Sequence, residues 1–225
     1  MTDALRLIVF DVDGTLVDSQ NHIHDSMIGA FESLGLAPPP LDAVLSIVGL
    51  SLPEAIARLA PGAESPTQAR LVDAYKAGYF TRRSAGVAPL YPGAREAVTR
   101  LAAQPETLLG IATGKSRRGL DHVLSAHGLD GHFVTRQVAD DHPSKPHPSM
   151  LLAALSETGM QPARAVMIGD TSYDIEMGRA AGMATIGVAW GYHAAERLAE
   201  AGAGRIVADF AELETALAEA WEIAE

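Results

Sequence analysis

The chain has 225 residues, 28 Asp plus Glu against 17 Lys plus Arg, and so a formal charge of −11 at pH 7. That balance excludes a broad basic face for nucleic acid, because duplex binding runs on cationic neutralisation of phosphates, but leaves room for a small positive pocket. Apolar residues make up 48% of the chain, enough for a folded core, and cysteine is absent, which excludes disulfides, thiolate metal sites and a cysteine nucleophile.

The first ten residues carry no basic segment, and their apolar stretch stops at Asp11, so they read as neither a signal nor a transit peptide. No apolar run approaches the roughly 18 residues of a membrane span. The expectation is a soluble protein with no membrane partner, and the lack of cysteine is compatible with a cytoplasmic location.

Leu5 to Phe10 is a short apolar run ending at an acid, and similar runs recur at Leu108–Thr113, Ala165–Ile168, Ala184–Val188 and, more weakly, Arg205–Ala208. Such runs are strands buried on both faces, as in a parallel sheet. Phe133–Ala139 is a further candidate. Helical patterns lie between them at Ala94–Ala103, Ser116–His127, Pro148–Thr158, Asp174–Ala181 and Phe210–Ile223. The alternation predicts an α/β class, a doubly wound parallel sheet with helices on both faces.

Between about Ser19 and Ala85 the rhythm breaks. Ile23, Met27, Ala30, Phe31 and Leu34 share one helical face that Gly35 ends, and Leu41, Val44, Leu45 and Val48 form a second after Pro38-Pro39-Pro40. Ser51-x-x-Glu54 and Ser65-Pro66-x-Gln68 read as capping boxes. The expectation is a helical insertion, residues 18–86, in a core made of 1–17 and 87–225, with hinges at Leu16–Ser19 and Gly86–Gly93.

Four segments combine a strand end or helix start with charged or phosphate-binding side chains, where open parallel sheets bind ligands. In Asp11-Val12-Asp13-Gly14-Thr15 an extended backbone turns both carboxylates to one face. Their repulsion calls for a cation or hydrogen bonds, and a nucleophile with a proton donor is one division of their labour. A calcium loop beginning at Asp11 fails, because Thr15 and Leu16 stand where an acid or Asn and a glycine are needed. An acidic turn is the alternative. Thr113-Gly114-Lys115-Ser116 places a hydroxyl and backbone amides at a helix start, an anion site, or else a turn with solvated Lys115, Arg117 and Arg118. Ser144-Lys145-Pro146-His147-Pro148 fixes one ammonium between prolines, or is a surface loop. Gly169-Asp170-Thr171-Ser172-Tyr173-Asp174 offers two acids beside a helix start, of which capping explains one.

Four carboxylates gathered at one sheet edge need a cation, and hard oxygen ligands select Mg2+. In this order the motifs DVDGT, ATGK, SKPHP and GDTSYD resemble the haloacid dehalogenase superfamily, in its phosphoglycolate phosphatase-like branch with a helical cap. The resemblance spans essentially the whole chain. It implies a phosphatase acting on a small phosphorylated metabolite, with Asp11 as nucleophile and Asp13 as general acid and then base. It also implies Thr113, Gly114 and Lys145 on the phosphoryl oxygens, and Mg2+ on Asp11, the Asp13 carbonyl and Asp170. Asp174 would touch the metal or orient the lysine. Asp13, which dehalogenases lack, argues for phosphoryl transfer. A phosphomutase or pyrophosphatase of the same superfamily remains open, as does a phospho-accepting regulatory protein with no turnover.

Gly49-Leu50-Ser51 is the candidate loop for entering the site, and Lys115, Arg117 or Arg118 could meet a substrate carboxylate. His22, His24, His142 and His147 lack metal-ligand spacing and read as surface or entrance residues. Trp190 and Trp221 read as packing residues.

Overall fold

The computed structural model describes residues 5–83 and 86–222. Its strands are β1 (Arg6–Phe10), β2 (Thr107–Thr113), β3 (Thr135–Val138), β4 (Ala165–Gly169), β5 (Ala184–Val188) and β6 (Arg205–Val207). They form one six-stranded sheet in the order β3-β2-β1-β4-β5-β6, parallel throughout. Central β1 has β2 and β3 on one side and β4 to β6 on the other, so the chain changes direction beside it. That switch point is where such sheets open a crevice at the strands' carboxyl ends.

The pleat divides the apolar residues between two layers. Ile8 and Phe10 of β1, Leu109 and Ile111 of β2, and Val166 and Ile168 of β4 face α5 (Ala94–Ala102), α6 (Arg117–Ala126) and α10 (Phe210–Glu222). Leu7, Val9, Ala165 and Met167 face the other way, onto α7 (Ser149–Thr158) and α8 (Ser172–Ala180). Each of the larger of these side chains, Leu, Ile, Val, Phe or Met, contributes roughly 1.5–3 kcal/mol when fully buried. The expected α/β architecture is observed, with strand ends shifted by a residue or two. A short α9 (Ala195–Glu200) was not anticipated, and Ile223, the end expected for the last helix, lies outside the described residues.

Four helices stand between β1 and α5: α1 (Gln20–Ser33), α2 (Leu41–Ser46), α3 (Leu52–Leu59) and α4 (Ser65–Arg83). They share an apolar cluster of their own, with Ile23, Met27, Phe31, Val44, Ile56 and Leu71 at its centre. The chain leaves and re-enters the sheet layer side by side: Val17 bridges Leu90, and the Asp18 amide donates to the Pro89 carbonyl at 2.9 Å. Neither expected capping box forms. Ser51 is the N-cap residue of α3 but makes no side-chain cap bond, and its amide donates to Ser144 Oγ at 2.9 Å. The Gln68 amide turns to the carbonyls of Ala60 and Ala63. No helix among the described residues is long and apolar enough to cross a membrane.

The helical segment is tied to the sheet edge at the Ser46 carbonyl, which accepts from Tyr173 Oη at 3.0 Å and faces His193 Nε2 at 3.3 Å. The Ser172 amide donates to His193 Nδ1 at 3.0 Å, which puts the ring proton on Nε2, toward Ser46. Burial, reinforced by the neighbouring Arg197 cation, pushes the His193 pKa down from 6.5 to about 4. The unfolded chain therefore takes this proton near pH 6.5 and the folded one only near pH 4. The stability that the neutral ring contributes is complete above about pH 6.5 and is lost as the pH falls toward 4. Other titrating groups are common to the parent and a His193→Gln variant and cancel in their difference. The gap in melting temperature between the two is therefore expected to shrink from pH 7 to pH 4.5; a constant gap would contradict the neutral buried ring.

Candidate active site

Asp11 follows the last residue of β1 and stays in the ladder, its amide donating to the Ile168 carbonyl at 2.9 Å. Three residues later Gly14, at φ +86°, turns the chain back so that Val17 reaches the Val12 carbonyl. A Cβ on Gly14 would lie 2.1 Å from Asp170 Oδ2, so glycine is required both by the left-handed conformation and by the approach of that carboxylate. Asp170 follows β4. Its Oδ1 accepts from Thr15 Oγ1 and its Oδ2 from the Tyr192 amide, each at 2.9 Å. Trp190 packs its ring 4.7 Å from Phe210 and donates its Nε1 proton to the Thr15 carbonyl. The packing role expected of Trp190 is observed, with this bond as an addition; the Trp221 side chain lies outside the described residues.

Lys145 is buried, with its Nζ 2.9 Å from Asp11 Oδ1 and 2.6 Å from Asp174 Oδ1. Asp174 does two jobs. It is the third residue of α8 in a capping box with Thr171, its Oδ2 accepting from the Thr171 amide at 3.1 Å and hydroxyl at 2.7 Å. Both of its oxygens are thus engaged, one by the helix start and one by the lysine. Capping, which the sequence assigns to one acid of this motif, and orientation of Lys145 meet in a single side chain.

Asp13 has a different lysine. Its Oδ1 lies 2.8 Å from Lys115 Nζ and accepts a short hydrogen bond from Ser19 Oγ. Lys115 also donates to Tyr79 Oη at 3.0 Å, across to α4. The two aspartates line one cavity, as their spacing predicts, but each meets its own ammonium. Burial alone would lower both lysines. Asp11 and Asp174 outweigh it at Lys145, and Asp13 with the Tyr79 hydroxyl outweighs it at Lys115, so both are held above the usual range.

Thr113 ends β2 and is buried against the cavity, its Oγ1 accepting from the Lys115 amide at 3.3 Å. Gly114 is pressed by the helical segment: a Cβ there would stand 2.5 Å from the Leu50 carbonyl oxygen and 2.6 Å from that of Gly49. Gly49-Leu50-Ser51 therefore does reach the cavity, which it lines.

Of the three basic residues after Thr113, Arg117 pairs with Asp141 at 3.1 Å, and its amide donates to Asp140 at 2.7 Å, which compensates cations at a helix start. Lys115 and Arg118 line the cavity. The histidine expectation holds for His147, which is exposed, whereas half-buried His142, in the loop that carries Lys145, bridges Ser149 Oγ of α7 and Gln137 Oε1 of β3. Sequence reasoning missed Ser19, Tyr79 and Tyr192, none of which sits in a motif, and the pairing of Lys115, the lysine of ATGK, with Asp13.

A divalent cation fits this cluster. Carboxylate oxygens of Asp11, Asp170 and Asp174 lie within 4.8 Å of one another. Fully ionised, the four carboxylates and two ammonium groups would sum to −4 + 2 = −2. Asp11 Oδ2 is buried with no hydrogen-bond partner. Without a cation, burial together with Asp174 and Asp13 outweighs Lys145 and pushes Asp11 up to about 7. Burial, Asp174 and Asp11 push Asp170 well above the usual carboxylate range. A cation among hard oxygen ligands relieves that repulsion.

Comparison with known proteins agrees with this geometry. The family model for haloacid dehalogenase-like hydrolases matches residues 8–188. A protein of Dickeya dadantii named probable phosphatase IndB is 37% identical over 212 residues, covering 92% of this chain and 91% of that one. A phosphoglycolate phosphatase of Haemophilus influenzae is 30% identical over 221 residues, covering 95% and 98%. A solved structure of a predicted phosphatase from Clostridium acetobutylicum superposes with a TM-score of 0.85 at 25% identity, covering 96% of this chain and 99% of that one. The ordered aspartates, the two buried lysines and a match running from β1 through β5 lead to one assignment: the chain belongs to the haloacid dehalogenase-like hydrolase family.

Proposed function

We propose that this chain is a Mg2+-dependent phosphatase that hydrolyses a small phosphate monoester through an aspartyl-phosphate intermediate, and is phosphoglycolate phosphatase-like in mechanism. The observation that carries the reading is Asp11: a buried carboxylate at the switch point of the sheet, one oxygen beside Lys145 and the other without a partner, facing the same cavity as Asp13. The phosphatase names of the two relatives agree with it. Residues 1–17 and 87–225 would be the catalytic core, and 18–86 a cap over it.

Asp11 attacks phosphorus, forming an O–P bond as the ester P–O bond breaks, and Asp13 gives its proton to the departing alkoxide. Asp13 then takes a proton from the water that attacks phosphorus, which frees phosphate and restores Asp11. Lys145, Thr113 and the Gly114 amide hold the phosphoryl oxygens where negative charge grows, and Asp174 aims Lys145. Asp11, the backbone carbonyl of Asp13 and Asp170 would hold Mg2+, whose chemistry is to neutralise charge between nucleophile and phosphate. Cap closure excludes bulk water.

Purified protein is expected to hydrolyse phosphate monoesters with Mg2+, to lose that activity in EDTA and to regain it when Mg2+ is restored. Asp11→Asn should abolish turnover, and Asp13→Asn should lower kcat by about 10²–10⁴-fold. No turnover by the parent across acids, sugars, nucleotides and aryl phosphates, or full activity in Asp11→Asn, would refute the reading. Asp174→Asn removes one of the two carboxylates on Lys145 and is expected to lower kcat/KM by about 10–100-fold, the usual range for outer-shell partners. Parent-like kcat/KM in that variant would contradict the aiming of Lys145 by Asp174.

A further inference from the structure

The cavity that Asp11 and Asp13 line holds about 400 Å³ in all, and its far wall comes from the helical segment. That volume lies within the ordinary range for organic ligands, roughly 300–1,000 Å³, and exceeds what a phosphoryl group on a two-carbon acid fills. The wall is apolar. Ile23 and Met27 project from α1, Ile47 and Val48 from the end of α2, and Leu52 and Ala55 from α3. Tyr75 and Tyr79 of α4 complete it, their rings stacked at 5.7 Å and 20°.

Charge at the inner end is already matched. Lys115 spends its ammonium on Asp13 and the Tyr79 hydroxyl, and its side chain is 7% exposed. Lys76 and Arg118, which also line the cavity, are exposed side chains. A substrate carboxylate placed against the inner wall would lose its water to aliphatic and aromatic groups, which is unfavourable. A ring placed there gains apolar burial and tyrosine and methionine surfaces on which aromatic groups pack well.

We propose that the cavity takes a phosphate monoester whose alcohol carries an apolar, planar ring, in preference to a small carboxylated alcohol. The inference rests on the phosphatase reading above and narrows its substrate class.

Benzyl phosphate and 2-phosphoglycolate test it, because both release primary alcohols and differ mainly in what occupies the cavity. With Mg2+, kcat/KM for benzyl phosphate is expected to exceed that for 2-phosphoglycolate by about tenfold or more, the effect of burying one ring. Leu52→Ser, at a partly buried wall position in the first turn of α3, should shrink that ratio severalfold while the variant melts as a folded protein. Equal rates, a preference for 2-phosphoglycolate, or equal losses for both esters in Leu52→Ser would overturn the proposal. Calorimetry with benzylphosphonate and phosphonoacetate separates the two readings. If neither ester turns over but benzylphosphonate binds at least about tenfold tighter, the cavity assignment stands and the phosphatase reading fails. Equal or weaker binding of benzylphosphonate overturns the assignment.

Discussion

Lys145 is a cation buried in a sheet edge and held by two carboxylates, Asp11 and Asp174, which come from the two adjacent central strands or just beyond them. An ammonium in that position is stable only while paired, and breaking such a pair costs about 3–5 kcal/mol. The surrounding backbone is shaped to keep it paired. Asp174 is fixed by its capping box with Thr171, and Gly169 leaves the room it needs: a Cβ there would lie 2.3 Å from Asp174 Cβ. Gly14 does the same for Asp170. The acids come together because each has a partner that determines where it points.

The second lysine links this edge to the helical segment. Lys115 leaves the β2 end, meets Asp13 and donates to Tyr79 on α4. Ser51 to Ser144, Ser46 to Tyr173 and His193, and the Gly49–Leu50 carbonyls over Gly114 provide three more ties. Contacts to the proposed acid and to the loops on either side of the proposed phosphate site therefore depend on how α1–α4 sit. In the proposed mechanism, cap seating and assembly of the reacting groups are one event.

Much of this was legible in the sequence. β1, β2, β4 and β5 stand out because a strand buried on both faces is mostly apolar, with few polar residues to interrupt it, and Asp11, Asp13, Asp170, Thr113 and Lys145 stand out because they end or follow such strands or lie in short stiff loops. β6 is three residues long, so its pattern is weaker, and the expected Arg205–Ala208 overshoots its end by one residue. The Ser51 capping box fails because a tertiary partner, Ser144, takes the Ser51 amide, a competition that local spacing does not reveal. Ser19, Tyr79 and Tyr192 were not legible for a related reason. Tyr192 meets Ser19 across 173 residues of chain and Tyr79 meets Lys115 across 36, so their roles exist only once the sheet and the helical segment have folded together.

The most direct test of Asp11 as nucleophile is to trap what forms on it. Protein mixed with a turned-over phosphate ester and Mg2+, quenched in acid within the first turnovers and digested, would be read by mass spectrometry on the peptide containing Asp11. The proposed mechanism predicts one added phosphoryl group on that carboxylate, removable by hydroxylamine and accumulating further in Asp13→Asn. Phosphate ester turnover with no acid-stable adduct at Asp11 in either protein, or an adduct on another side chain, would contradict it.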